Sequence, residues 1–329
     1  MSSPELGLLV LPERPVKQLV EMAVRAEGLG YDYVWVADEK FYRDPMVVLS
    51  AIGLATERVT IGTGVTEPYA RHPALIAMAM ATLEDLCPGR VVIGIGAGGP
   101  GFPPMGVQRR KPAKALAEAA AIVRGLLNGE RVTYQGEVLA FKDGALNFEP
   151  RPLPIYIAAR GARVLAAAGA IGDGVIMAPF ASRQAVDYAR GIVLGGARGS
   201  TPKIVGRIDD CLGKTSAAAR EAASYFVALP LWVSYPNWGY AEALGIDLSD
   251  ELRQLMARRD YRDITPAATM LPPEMIDHFA IAGTEAEAAA RIKDLLPVID
   301  QLLVHPVPSP DYDLDQTLDG VARIWKGVA

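Results

Sequence analysis

The sequence predicts a single (β/α)8 barrel, or TIM barrel, over residues 1–329, with insertions at about 129–150 and 230–273. Short apolar strand segments alternate with helical patterns eight times along the chain, and most connections between them are short. Continuous apolar strands that alternate with helices are typical of a parallel sheet covered on its faces. The pattern suggests neither a switch point nor a second domain, which favours a closed barrel over a doubly wound sheet.

The first four strand–helix units are predicted within residues 6–127. Strand 6–11 (LGLLVL) is apolar throughout, and helix Val16–Leu29 has Leu19, Ala23 and Ala26 at helical spacing before Gly30 ends it. The next units are strand 33–37 with helix 47–56, strand 59–63 with helix 74–86, and strand 91–95 with helix 111–127.

The second half interrupts this alternation twice. Residues 129–148 predict an antiparallel excursion, in which VTYQGEVLAF and ALNF flank turns at Gln135-Gly136 and Asp143-Gly144. Residues 230–273 lose regularity, and a loop of this length in a compact domain usually forms a lid or binding insertion. The remaining predicted elements are strands 155–158, 174–178, 204–209 and 300–305, and helices 162–170, 182–194, 216–228, 284–296 (opened by a Thr284–Glu287 capping box) and 314–325.

Composition excludes several classes of protein. The net charge is −5 and Lys/Arg runs are absent, which disfavours nucleic acid as a partner. The apolar segments are too short or too interrupted to cross a membrane, so we expect a cytoplasmic protein. Cys87 and Cys211 lie far apart and are expected as buried thiols, and His72, His278 and His305 share no metal-ligand spacing. No metal site is predicted.

The third predicted strand leads into the first candidate ligand site. It contains Gly62 and Gly64, and glycine inside a strand pattern marks a bulge or the close approach of a backbone or ligand. The loop that follows carries polar and ionisable side chains just past the strand's carboxyl end, where sites lie in parallel α/β proteins. These residues are Glu67, Tyr69, Arg71 and His72.

The stretch from Gly94 to Gly99 satisfies G-x-G-x-x-G, but its context disfavours a dinucleotide-binding fold. That fingerprint must open a helix directly, whereas here Pro and Gly residues follow and the next helix begins only near Lys111. A glycine loop at this end of a strand still allows a flat ring or a phosphate to approach the backbone. Ala97, Gly98 and Gly99 are therefore candidates for ligand contact.

Two further groups of candidates follow predicted strands. Backbone N–H groups near Arg160 and Gly161, at the start of a helix, form a predicted phosphate site, although a plain glycine turn would use the same residues. Glu13, Asp38 and Glu39 also follow strands, where carboxylates act as acids, bases or partners of a cofactor ring. A local turn cap or a solvent ion pair is the alternative for these acids.

The third helix, ALIAMAMATLEDL, is apolar nearly all round until Glu84. A surface helix has a single apolar stripe, so this pattern indicates burial on two sides. We predict a homodimer contact there, with a covering insertion as the alternative.

Five segments together resemble the luciferase-like flavin oxidoreductase superfamily, and within it the deazaflavin-dependent branch around methylenetetrahydromethanopterin reductase. They are AEGLGYDYVWVADE, TERVTIGTGVTEPYARHP, ATLEDLCPGRVVIGIGAG, LNFEPRPLPIYIAARG and AGAIGDGVIM, and they cover most of residues 1–180, with a weaker similarity in FAIAGTEAEA. The resemblance implies a (β/α)8 barrel with its cofactor at the carboxyl ends of the strands. It also implies a bulge in strand three with a non-proline cis peptide at Gly64–Val65, against which the cofactor ring rests.

The resemblance implies that coenzyme F420 is the cofactor and that a small molecule is the substrate. Cofactor phosphate would lie at the start of the helix after strand five, and the glycine loop after strand four would line the polar side of the ring. Glu13 and Glu39 are then the catalytic candidates. The cofactor-binding candidates are Asp38, Thr63, Gly64, Val65, Ala97, Gly98, Gly99, Ala159, Arg160, Gly161, Ala162 and Ala178.

The sequence departs from several such relatives at two places. They have a His directly after the strand-two Asp and an acid in the strand-four loop, where this chain has Glu39 and Gly99. Sugar-phosphate or alcohol dehydrogenation, which depends on that His, is disfavoured, whereas pterin- or folate-like substrates and small activated alkenes or imines fit. The alternatives are a two-component monooxygenase that uses reduced FMN, and a family member that binds flavin without turnover.

Overall fold

The computed structural model describes residues 3–99 and 101–329. The strands are β1 Glu5–Val10, β2 Tyr33–Val36, β3 Thr60–Thr63, β4 Val91–Ile95, β5 Val132–Gln135, β6 Ala140–Gly144, β7 Ile155–Ala159, β8 Gly174–Met177, β9 Lys203–Leu212, β10 Ala280–Gly283 and β11 Gln301–Pro306. The α-helices are α1 Val16–Leu29, α2 Pro45–Ala55, α3 Pro73–Leu86, α4 Pro112–Leu127, α5 Ala162–Ile171, α6 Arg183–Gly196, α7 Ser216–Ser234, α8 Gly239–Ala243, α9 Asp250–Ala257, α10 Ile264–Ala268, α11 Pro273–Phe279, α12 Glu285–Leu295 and α13 Leu314–Val328. Among these helices, none combines the length and apolarity that a membrane span requires.

Eight of the strands close into a parallel ring. Their order around the ring is β1, β2, β3, β4, β7, β8, β9 and β11, and the β11–β1 pairing completes the circle. The ninth strand of the sheet, β10, pairs with the last residues of β9, beyond the part of β9 that contacts β8. Because all the strands run in the same direction, their carboxyl ends meet at one rim. The predicted (β/α)8 barrel is confirmed.

Two apolar cores lie on either side of the ring. The larger one fills the layer between the strands and the surrounding helices. The smaller one fills the barrel interior and centres on Trp35, whose side chain is fully buried against Leu9, Tyr156 and Leu303. Leu11, Val65, Ala158 and Ala178 pack on top of this interior core and remain partly exposed. The barrel interior beneath these four side chains is therefore filled by the core, and the open mouth of the barrel lies above them.

Most predicted elements are confirmed, including the Thr284–Glu287 capping box of α12. The prediction that regularity is lost over 230–273 is wrong, because α7 continues through Pro230 to Ser234 and four further α-helices follow up to Phe279. Burial of Leu231 and Trp232 stabilises the last turn of α7 in spite of the proline. Strand β10 was also missed, since its four apolar residues are too few for a pattern.

The excursion after α4 is the predicted antiparallel hairpin, formed by β5 and β6. The strand predicted at ALNF is wrong, because the second strand is Ala140–Gly144 and includes the residues predicted to turn. The hairpin loop is held by Glu118 of α4, whose buried carboxylate accepts backbone N–H groups from Glu137, Val138 and Leu139 at 2.8, 3.0 and 2.8 Å. Burial works against ionisation of Glu118, but these three donors outweigh it and lower its pKa.

Candidate active site

A bulge in the third strand forms one wall of the barrel mouth. Gly62 pairs with Val92 and Thr66 bridges to Ile95. Between these two pairings the chain advances by four residues in the third strand and by three in β4, so the third strand contains one extra residue. The Gly64–Val65 peptide within this bulge is cis, as the resemblance implied. Thr63 is fully buried and fixes the bulge to β4, because its hydroxyl donates to the carbonyl of Gly94 at 2.8 Å and accepts its N–H at 3.0 Å.

Glycines next to the bulge make room for it. A Cβ on Gly94 would lie 2.1 Å from the Thr63 carbonyl oxygen and 2.8 Å from Val65 Cγ1. A Cβ on Gly96 would lie 2.5 Å from Val65 Cγ2, and one on Gly64 would lie 2.8 Å from Trp35 Cβ. The side chain of Val65 therefore lies directly over β4, where only glycine leaves space for it.

The loop after β2 carries a compact ion-pair network. Lys40 Nζ lies 2.9 Å from Asp38 Oδ1 and 2.9 Å from Glu67 Oε1, and the hydroxyl of Thr66 donates to Asp38 Oδ2 at 2.7 Å. Arg71 Nε is 3.7 Å from Asp38. The Asp38 carboxylate is thus engaged by the protein on both oxygens, and it joins the loop after β2 to the loop after β3.

Glu39 lies beside this network but is not bound into it. Its carboxylate has neither an ion pair nor a hydrogen bond with the part of the chain that the structure describes, and it faces Gly99, where a Cβ would lie 3.3 Å from Glu39 Oε2. Burial raises the pKa of Glu39, Lys40 and Arg207 lower it, and Asp38 raises it further, with a net upward shift. Glu39 is therefore a carboxyl group with a raised pKa that borders a cleft of about 280 Å³.

Glu13, the other predicted catalytic carboxylate, lies in the loop after β1 and is exposed. Its backbone carbonyl accepts a hydrogen bond from Arg43 at 2.6 Å, which ties this loop to the one after β2. Glu13 and Glu39 thus both lie at the rim, but they differ in environment, since Glu13 is in solvent.

The glycine loop after β4 lies next to Glu39. Ala97, Gly98 and Gly99 are all partly exposed. Gly98 has φ +79° and a Cβ there would lie 2.1 Å from Phe102 Cζ, so only glycine fits. After this loop the described chain forms a 3₁₀ turn at Pro103–Met105, and the next α-helix, α4, starts only at Pro112, which agrees with the rejection of a dinucleotide-binding fingerprint.

The predicted anion site lies at the first turn of α5, and its geometry leaves room for a ligand. Gly161 is the N-cap, no side chain caps the helix, and a Cβ on Gly161 would meet none of the described atoms within 4 Å. Ala162 and Arg163 are exposed, so the N–H groups of this turn face open space at the positive end of the helix dipole. Ala159, at the end of β7, is buried beneath this turn.

The guanidinium of Arg160 binds protein groups. It donates from Nε to the carbonyl of Ala178 at 2.7 Å, and from one terminal nitrogen to the carbonyl of Pro230 and the hydroxyl of Ser234 at 2.8 and 2.7 Å. The side chain therefore joins the carboxyl ends of β7 and β8 to the last turn of α7. The phosphate site predicted around Arg160 thus consists of backbone donors, with this side chain fixed beside them.

Arg109 and Arg259 also bind the end of α7. Arg109 donates to the carbonyl of Val233 at 3.0 Å, and Arg259 donates to that of Trp232 and lies 4.0 Å from the Trp232 ring centroid. Cations complement the carbonyl end of a helix dipole. Along the described chain, neither arginine forms an ion pair with a carboxylate.

A second charged cluster lies at the ends of β9 and β11 and was not predicted. Arg207 donates two hydrogen bonds to Asp209, both 2.7 Å long, and His305 Nδ1 lies 2.7 Å from the same carboxylate. Burial opposes ionisation of Asp209, but Arg207 and His305 outweigh it and hold the pKa of Asp209 below its usual value. Alternation along β9 could have revealed the pair, since Val205, Arg207 and Asp209 share one face.

A row of contacting aromatic side chains leads from this cluster through α7 to the segment after it. The ring of Phe226 meets that of His305 edge-on, with centroids 5.3 Å apart, and Tyr225 packs against Phe226. The hydroxyl of Tyr225 lies 3.0 Å from that of Tyr261, which is half exposed. The 230–273 segment therefore contributes to the surface around the mouth through Tyr261.

A closed parallel barrel with an open, polar mouth, a bulged third strand and an uncapped helix N-terminus defines a (β/α)8 protein whose candidate ligand site lies at the carboxyl ends of the strands. The chain belongs to the luciferase-like monooxygenase family, whose model matches residues 2–296.

Known relatives of the chain include enzymes with different substrates. It is 31% identical over 302 residues to 5,10-methylenetetrahydromethanopterin reductase of Archaeoglobus fulgidus, a match that covers 88% of this chain and 90% of the relative. It is 37% identical over 186 residues to the F420-dependent glucose-6-phosphate dehydrogenase of Intrasporangium calvum, which covers 51% of this chain and 55% of the relative. The structure of the coenzyme F420-dependent tetrahydromethanopterin reductase of Methanopyrus kandleri superposes with a TM-score of 0.83 at 24% identity, with both chains fully covered.

Proposed function

We propose that this protein is a coenzyme F420-dependent oxidoreductase that moves a hydride between reduced F420 and an organic substrate. The observation that carries the proposal is a match over nearly the whole chain to a methylenetetrahydromethanopterin reductase, combined with the bulge in the third strand at the barrel mouth. The deazaflavin would supply the hydride chemistry, while the protein orients the two partners and limits water.

The residues at the mouth fit such a cofactor. Val65 gives an apolar surface for a flat ring, and Gly98 and Gly99 let the ring's polar edge approach the backbone. The open space at Gly161, with unshielded N–H groups in the first turn of α5, suits a phosphate. Ala178 lies between these two regions, because it packs on the interior core and its carbonyl is fixed by Arg160.

Glu39 is the proposed proton-carrying group beside the ring's polar edge. A carboxylate with a raised pKa and without a fixed partner within the described chain holds a proton nearer to neutral pH than an exposed one does. Asp38 has the orienting role, since Lys40 and Thr66 hold both of its oxygens. Glu13 lies in solvent at the same rim, and we assign it a place at the entrance for substrate.

For the substrate we propose a pterin- or folate-like compound, or another compound with an activated C=N or C=C bond. The match to the methylenetetrahydromethanopterin reductase covers 88% of this chain, whereas the match to the glucose-6-phosphate dehydrogenase covers 51% of it. This difference in coverage supports the proposed substrate. The aromatic surface that includes Phe226 and Tyr261 suits a flat heterocycle. Segment 230–273 is the proposed cover over it.

Fluorescence titration tests the cofactor. Purified protein is titrated with F420 and, separately, with FMN, and quenching of each cofactor is followed. We expect saturable quenching of F420 and much weaker binding of FMN. Tight FMN binding without F420 binding would refute the proposal in favour of a reduced-FMN monooxygenase. Anaerobic oxidation of reduced F420 by methylenetetrahydrofolate or methylenetetrahydromethanopterin then separates an enzyme from a non-catalytic cofactor-binding protein.

We also propose that the protein is a homodimer through α2 and α3. Val47, Leu54, Leu75 and Met78 on these helices are 63%, 71%, 49% and 46% exposed, which leaves an apolar surface for a second copy. Light scattering over a dilution series should give a dimer, and Leu54→Glu with Met78→Glu should give a monomer. Val24→Glu on α1, where Val24 is 43% exposed, is the matched control and should leave the mass unchanged.

A further inference from the structure

His305 and Asp209 form a polar pair in an otherwise apolar setting. Asp209 is fully buried, and the His305 side chain keeps 7% of its surface exposed. They belong to neighbouring strands, and their backbones are paired in register in the β9–β11 ladder. The proposed cofactor contacts use neither residue, although both are on the inner face of the ring at its carboxyl end.

The hydrogen bonds around Asp209 determine which nitrogen of His305 can exchange a proton. Two N–H groups of Arg207 bind the two oxygens of Asp209, so the carboxylate is held ionised and can only accept. His305 Nδ1 must then carry the hydrogen that it shares with Asp209. The Nε2 atom of His305 has no hydrogen-bond partner within residues 3–99 and 101–329. It is therefore the ring nitrogen that is free to exchange a proton with a ligand.

The charges that face the imidazole are few. On β9 they are Asp209 and, behind it, Arg207, which also acts electrostatically on Glu39. From α7 the imidazole meets the ring of Phe226, which carries no charge. A purely structural role does not account for this arrangement, because a buried ion pair stabilises a fold on average no more than apolar side chains of similar size would. An oriented imidazole with one free nitrogen at the mouth is the arrangement of a general acid–base group.

We propose that His305, oriented by Asp209 and Arg207, is the residue that exchanges a proton with the substrate's heteroatom during the reaction. This inference rests on the proposed function. In a reduction, hydride adds with its two electrons to a carbon bound to nitrogen. The electron pair of the C–N bond that breaks, which is the π bond of an imine or one single bond of a methylene bridge between two nitrogens, stays on the nitrogen. His305 donates as the imidazolium, which carries hydrogens on both Nδ1 and Nε2: its Nε2–H bond breaks, that nitrogen of the substrate takes the proton, and His305 is left as the neutral Nδ1–H tautomer. Solvent would return a proton to Nε2, and Glu39 would carry to solvent the proton that reduced F420 loses together with the hydride.

Two substitutions at His305 separate this role from a structural one. His305→Asn keeps an amide N–H near the position of Nδ1, and so can keep the hydrogen bond to Asp209, but it removes Nε2. His305→Gln removes the bond to Asp209 and places an amide near Nε2. His278→Gln is the matched control, because its imidazole also makes a 2.7 Å bond through Nδ1, to Ser182 on the outer helices.

With reduced F420 and methylenetetrahydrofolate as the probe, both His305 variants should lose kcat by about 10²–10⁴-fold. Their affinity for F420 and their KM should change less than threefold, and the pH profile of their kcat should differ from the wild-type profile. The control should behave as wild type. Wild-type kcat with an unchanged pH profile in His305→Asn would overturn the proposal, because that variant retains the Asp209 contact.

A second measurement needs neither cofactor nor substrate. The chain has 3 histidines, so their ¹⁵N resonances in the apo protein can be assigned by substitution. We expect His305 to be the Nδ1–H tautomer when neutral, and to lose this preference in Asp209→Asn. The opposite tautomer in wild type would refute the proposal. Absence of F420 binding with the expected tautomer would instead refute the proposed function.

Discussion

Replacing Gly94 by alanine tests the reasoning about the bulge most directly. The added methyl carbon would lie 2.1 Å from the carbonyl oxygen of Thr63 and 3.2 Å from Trp35 Cζ3, whereas real Cβ contacts stay beyond 3.0 Å. The clash is with backbone, which cannot move aside as a flexible side chain can. The Thr63 carbonyl must therefore shift, and the two hydrogen bonds between the Thr63 hydroxyl and the Gly94 backbone shift with it.

The expected cost follows from these two effects. Overpacking of a tight interior costs about 1–3 kcal/mol, and each weakened hydrogen bond adds about 1 kcal/mol. We expect Gly94→Ala to lower the free energy of unfolding by about 3–5 kcal/mol. Because Val65 is displaced as well, binding of F420 should weaken at temperatures where the variant is still folded.

The assay is urea unfolding of the apo protein, followed by circular dichroism. Gly191→Ala is the matched control, since Gly191 lies exposed in α6 and a Cβ there meets no described atom within 4 Å. The control should be more stable than wild type by about 0.5–1 kcal/mol. A Gly94→Ala variant within about 0.5 kcal/mol of wild type, with normal F420 binding, would show that β4 is not closed against the bulge in this way.

Three other substitutions have defined outcomes. Lys40→Met should destabilise the protein by about 3 kcal/mol, because the carboxylate of Glu67, which is 1% exposed, loses the cation that pairs with it. Thermal unfolding measures this loss, and an unchanged Tm would contradict the prediction. Asp210, buried with both oxygens unpaired in the described structure, has its pKa raised to about 7 by burial. Between about pH 4 and 7 the folded protein therefore keeps a proton on Asp210 that the unfolded chain has released. The free energy of unfolding of the wild type should fall as the pH rises through this range. Asp210→Asn should lack this fall, and urea unfolding at several pH values measures it. Glu118→Gln should loosen the loop 137–139 and make it a site of protease cleavage, unlike wild type.

The barrel could be predicted from the sequence because its strands are continuous apolar runs and its helices carry ordinary start and stop signals. Helix Val16–Leu29, ended by Gly30, was predicted at its observed bounds. The cis peptide at Gly64–Val65 came from resemblance, since glycines in a strand indicate a bulge without specifying its geometry.

The region after α7 was mispredicted because proline acts as a helix breaker only where the fold does not compensate. Pro230 stays inside α7 because its neighbours Leu231 and Trp232 are buried and its own carbonyl accepts a hydrogen bond from Arg160. None of these contacts is local in sequence, so a reading of proline spacing could not include them.

The cluster at the ends of β9 and β11 was missed for a related reason. Asp209 and His305 are 96 positions apart, and they meet only because the ring closes between the strands that carry them. A histidine at the end of an apolar strand resembles many structural histidines. The alternation of charged residues on β9 was the available signal, and it becomes informative once both strands are placed in the same barrel.

The side chain of Arg160 links the predicted anion site at α5 to the end of α7. Its backbone neighbours the open first turn of α5, and its guanidinium fastens the carbonyl of Pro230 and the hydroxyl of Ser234. An anion bound at that turn would attract this guanidinium, which already donates to protein groups. We therefore expect the end of α7, where the segment 230–273 begins, to respond to anion binding through this one side chain.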